Sequence, residues 1–186
     1  IDSLCAAMSC FDVLIHAKDF KAPNDFMKKY QSIAQMAHNI CINEKSGKCA
    51  KKWLKFCQQQ SFNLSKMGDN QGMINYVNFS IALFEYQIYT QKNLDNVIQY
   101  VNMIHEMSQL FLRQRNGEML QLISDKGRNL LEVAGDNERV EDIVCSIITL
   151  QANYFFSSGQ QENALKNYKE VIEKRSKYEE SSEWGK

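Results

Sequence analysis

A single proline, Pro23, and eight glycines in 186 residues leave the chain little punctuation. The strongest apolar periodicities are helical rather than alternating, so the expected fold is all-α. An excess of charge of one sign is also missing: 22 lysines and arginines balance 22 aspartates and glutamates. That removes the global field that draws a protein to nucleic acid or to an anionic membrane. No apolar run reaches the roughly 20 residues a bilayer-spanning helix needs. The apolar opening, residues 4–15, is interrupted by Asp12 and lacks a basic lead, so it reads as an amphipathic helix rather than a signal peptide. Absent too are a glycine-rich phosphate cradle, a GxSxG elbow and an HExxH helix. Only His16, His38 and His105 could act as the imidazole base for a cysteine nucleophile, and His16 stands six residues from Cys10, on another helical face. The chain is therefore expected to be non-catalytic, with no cofactor.

What is present is helix-forming. The pattern predicts helices near 2–17, 23–43, 48–66, 72–91, 94–113, 117–134, 138–158 and 162–180. Pro23 suits a helix start, and Gly47, Gly68, Gly72, Gly117, Gly135 and Gly159 lie at or near the breaks. Eight helices on short turns imply antiparallel neighbours, read as one domain over 1–180 with a frayed tail or linker at 181–186. The chain opens at Ile1 rather than Met, and a segment of a larger protein is expected. Six cysteines scattered on helix-like apolar faces read as reduced thiols of a cytosolic or nuclear protein. His38, Cys41, Cys49 and Cys57 do not suit zinc, because Cys49 and Cys57 stand two turns apart on one helix rather than on a tight knuckle. No metal is expected.

One stretch carries a patterned signature. In residues 145–178, small Ala152, aromatic Phe155, turn Gly159, small Ala164, Leu165 and aromatic Tyr168 fall at the spacing of a two-helix unit. This stretch resembles a tetratricopeptide (TPR) repeat, in which small residues sit where two helices cross and aromatics fill the space around them. It departs from the pattern at Ile148, which takes a tryptophan-like position, and at Ser176, which replaces a terminal proline. A looser echo at 82–104 has Lys92 where a turn glycine belongs. The resemblance implies a TPR-like α-solenoid that holds a partner's peptide or helix in a concave groove. On the good repeat, it places Ser146, Thr149, Asn153 and Phe156 on the groove wall, with Asn153 able to donate to and accept from a partner's backbone.

Two further features are candidate sites. Tyr76, Phe79, Leu83, Tyr86 and Tyr89 form the densest aromatic run, read first as core packing and second as groove anchors, with Tyr86 and Tyr89 the candidates. In that second reading Val97, Ile98, Val101, Ile104 and Leu112 supply the opposite wall. Lys45, Lys48, Lys51, Lys52 and Lys55 make a local basic cluster, read first as a solvated outer face with Trp53 turned inward, and otherwise as a patch for phosphate or an acidic segment. The functional expectation is a protein-interaction or scaffold module with a protein partner, no membrane partner and little affinity for nucleic acid. The alternatives are a structural or dimerisation unit meeting another subunit through Leu110, Phe111 and Leu112, and a regulatory helical domain of a larger enzyme.

Overall fold

The computed structural model describes residues 1–17, 21, 25–44 and 47–181. Among them are eight α-helices and no strand: α1 (Asp2–Ile15), α2 (Phe26–Asn43), α3 (Lys48–Met67), α4 (Asn70–Glu85), α5 (Val97–Arg113), α6 (Gly117–Ala134), α7 (Glu138–Ser157) and α8 (Gln161–Ser181). A π-turn, Tyr86–Thr90, continues α4, and a 3₁₀ turn, Leu94–Asn96, leads into α5. The expected starts near 72 and 94 thus shift by two or three residues. Pro23, Lys45 and the tail at 182–186 lie outside the described residues.

The breaks have local causes. Asp69, Asn116 and Asn137 cap α4, α6 and α7, their side-chain oxygens accepting from the amides of Gly72 (2.8 Å), Met119 (3.1 Å) and Val140 (3.2 Å). Each such cap is worth about 1 kcal/mol. After α7, Gly159 takes a left-handed φ of 77°. The amides of Gln160 and Gly159 then reach back to the carbonyls of Phe155 (2.8 Å) and Phe156 (3.1 Å), which closes the helix as a Schellman motif. Lys92, which stands where the looser echo lacks its glycine, adopts the glycine's left-handed conformation, with φ 55°.

The chain divides into two compact units, residues 1–92 and 93–186. In the first, α3 packs against α1, α2 and α4. Three contacts join α1 to the α3 side: Lys52 to Asp2 at 2.7 Å, Gln60 to Ser9 at 3.2 Å and His16 to Asp69 at 3.2 Å. They climb both chains in the same direction, so α1 and α3 run parallel, side by side. Tyr30, Trp53, Tyr76 and Phe84 fill this core at 2% exposure or less. Tyr76 and Leu83 of the aromatic run are both fully buried, so they pack the core and are unavailable as groove anchors.

In the second unit α5 packs against α6 and α7, and α7 against α6 and α8. Ala152 and Ala164 are buried in the α7–α8 pair, where the resemblance put its small residues. Val97, Val101 and Ile104 are buried too, which corrects the reading of α5 as a groove wall: that face is spent on the unit's own core. Phe111 is fully buried, so residues 110–112 do not offer the intact apolar face that a subunit contact would need.

Candidate interaction surface

The α7 strip named from the sequence lies on one side of its helix, outside the core. Two of its hydroxyls turn back on their own helix, Ser146 Oγ donating to the Asp142 carbonyl (3.1 Å) and Thr149 Oγ1 to that of Cys145 (2.8 Å). Thr149 is half-buried, and its hydroxyl is spent on its own helix. Asn153 Oδ1 accepts from the Tyr168 hydroxyl at 2.6 Å, so its carbonyl is held by α8. Phe156 is 65% exposed.

That Asn153–Tyr168 bond also sets the register of the hairpin. One turn on along each antiparallel helix, Phe156 comes level with Leu165, and one turn back Thr149 comes level with Ile172. Leu165 is 55% exposed and Ile172 65% exposed. Arg175 bonds Asp142 at 3.1 Å and closes the far end. The result is a two-ridged apolar strip, with Phe156 and Thr149 on α7 and Leu165, Tyr168 and Ile172 on α8, polar at one end. Large apolar side chains left this exposed on adjacent turns make the strip a candidate contact surface. Ile172 was missed in the sequence, because Ala164 and Val171 supply α8 with an obvious core ridge that hides the second one.

Tyr86 and Tyr89 belong to the first unit, not to this strip. Both are half-buried, and the Tyr86 ring stands edge-on to His38 (centroids 6.3 Å apart, planes at 77°). Burial holds that imidazole below its usual range.

The basic residues Lys48, Lys51, Lys52 and Lys55 are all exposed on α3, and Trp53 is turned fully inward. Lys52 is paired with Asp2, which raises the ammonium's pKa and lowers the carboxyl's. Among the described residues, Lys51 and Lys55 have no acidic partner.

Two polar clusters escaped the sequence reading. On α1, Asp12 is 8% exposed and accepts from the hydroxyls of Tyr76 (2.6 Å) and Tyr30 (3.4 Å), which ties α1 to α4 and α2. Burial pushes the Asp12 carboxyl up, and the two hydrogen bonds pull it back only in part. Burial also raises both phenols, which therefore stay donors. In the second unit, Arg128 of α6 spans to α8, bonding Glu170 through Nε (3.1 Å) and a terminal nitrogen (2.9 Å), with Asp125 at 3.2 Å. The buried amides of Gln151 and Asn167 complete the cluster (2.9 Å). A cleft of about 370 Å³ opens over it, and the bonds among Arg128, Glu170, Gln151 and Asn167 clasp α6 to α8 beneath it.

The six cysteines are free thiols. Among the described residues no three His, Cys, Asp or Glu side chains converge as a metal site, and no helix is long and apolar enough to cross a membrane. Comparison with family models, curated proteins and solved structures finds no match to this chain.

Proposed function

We propose that the chain is a protein-interaction module of stacked helical hairpins, and that the α7–α8 strip is where it holds a partner's helix or extended segment. The observation that carries this reading is the strip itself: Phe156, Leu165 and Ile172 are exposed on adjacent turns beside an Asn153 fixed by Tyr168. A preformed apolar surface on two packed helices binds without ordering itself first, which keeps the entropic cost of association low. The stacked-hairpin architecture is supported by the parallel run of α1 beside α3 and by the packing of α5 on α7. An up-and-down four-helix bundle instead sets alternate helices on its diagonal.

The test is a photo-reactive phenylalanine analogue placed at position 156 or 172 of the full chain, expressed in its own cells, with position 122 as the control. Leu122 is 42% exposed on α6, a helix that contributes no residue to the strip. A discrete protein adduct from 156 and 172 but not from 122 is expected. Equal labelling from all three positions would contradict the assignment.

A further inference from the structure

Every ionisable side chain of α3 apart from its thiols is a lysine. Over Lys48–Met67 there are five, Lys48, Lys51, Lys52, Lys55 and Lys66, and no aspartate or glutamate. All five are exposed. Like charges three and four residues apart on a helix repel, as do Lys48 with Lys51 and Lys52, and Lys55 with both of the latter. Four of the five crowd the N-terminal half, where the helix dipole is already positive. A merely solvated face would intersperse glutamates at these spacings and gain stability from them. Asp2, on Lys52, and Glu44, accepting from the Cys49 amide at 3.2 Å, answer part of this charge. Lys51 and Lys55 are left without an acid among the described residues. Further along the face, Phe62 is 55% exposed, and the Lys66 ammonium sits 4.2 Å from its ring centroid. Gln59 and Asn63 stand between these groups and add donors and acceptors.

We infer that this face of α3 is a docking surface for an acidic amphipathic polypeptide segment, whose carboxylates pair with Lys51, Lys55 and their neighbours and whose apolar residues lie against Phe62. From Lys48 to Lys66 the face runs about 27 Å, the length of a five-turn helix. The partner's carboxylates supply the charge that α3 itself lacks, and they approach the positive end of its dipole. Single-stranded nucleic acid fits less well, because it needs open aromatic platforms and favours arginine. Here the exposed ring is capped by an ammonium and no arginine is present on the helix. An anionic membrane fits less well too, since Trp53, Leu54 and Leu64 of α3 are turned into the core. The surface is separate from the α7–α8 strip and does not depend on that reading.

The experiment titrates the full chain against a labelled glutamate-rich helical peptide of about 20 residues, with leucines on one face, and follows fluorescence anisotropy over a range of salt. In parallel, the same chain is titrated against a labelled oligouridylate and against phosphatidylserine vesicles. The expected result is saturable peptide binding that weakens with salt, is at least about tenfold weaker in Lys51→Glu with Lys55→Glu, and is weakened by Phe62→Ala. Arg139→Glu with Lys169→Glu, on the second unit, should leave it unchanged, as should Phe156→Ala. Glutamate at 51 and 55 relieves repulsion within α3, so the melting temperature of that variant should hold or rise, which separates lost binding from lost folding. Tighter binding of the oligouridylate or the vesicles, or equal loss in the Arg139 and Lys169 pair, would overturn the proposal.

Discussion

Asp12 is the side chain whose environment most exceeds what its neighbours in sequence announce. The burial-raised pKa of its carboxyl sets the sign of a pH effect. A group whose folded pKa lies above its unfolded value stabilises fully at acid pH, and that contribution is lost as pH rises through the folded pKa. His16, Asp69, Cys57 and the two tyrosines share the surroundings, so the comparison is best made against Asp12→Asn, which removes this titration alone. Wild type should lose stability relative to Asp12→Asn as pH rises above the ordinary carboxylate range, from about pH 4 upward, in denaturant titrations; a constant or opposite difference would refute it. Asp12→Ala leaves the buried Tyr76 hydroxyl without its acceptor and should cost about 1–3 kcal/mol across the range. Lys92 makes a second case. The left-handed conformation costs an L-residue roughly 1–2 kcal/mol, partly offset by glycine's larger unfolded-state entropy, so Lys92→Gly should gain up to about 1 kcal/mol. Unchanged stability would mean that the turn is not held as described.

Helices were the legible level. Apolar periodicity and glycine placement located all eight, because each packs one apolar face, and that face has to recur at 3.6 residues. The finer elements were not legible. The caps at Asp69, Asn116 and Asn137 sit among many other Asp and Asn residues, and the π-turn at Tyr86–Thr90 leaves the apolar period of α4 almost intact. Half of the strip was legible: Ser146, Thr149, Asn153 and Phe156 came from the repeat resemblance. Its α8 half depends on the register fixed by the Asn153–Tyr168 bond, a long-range fact that no local pattern carries. The closeness of α7 and α8 is itself testable. Ala164 is buried at their contact, so Ala164→Leu should overpack it and cost roughly 1–3 kcal/mol in a thermal or denaturant melt. An unaltered melt would remove the small-residue crossing on which the repeat resemblance rests.

For the molecule as a whole, the balance of 22 basic and 22 acidic residues leaves no long-range pull on any partner. The two proposed recognition surfaces are accordingly local in character, an apolar one on α7–α8 and a cationic one on α3. Truncating a buried aromatic anchor typically costs about 2 kcal/mol or more, whereas removing a peripheral charge mainly slows association and shifts its salt dependence. The most direct measurement is therefore the Kd of the partner captured at position 156, for Phe156→Ala with Asn153→Ala on one side and Lys48→Glu with Lys52→Glu on the other, each confirmed folded by its melt. The account predicts that the strip pair weakens binding by about 30-fold or more while the lysine pair leaves it within a few-fold. Loss of binding in the lysine pair with none in the strip pair would contradict it.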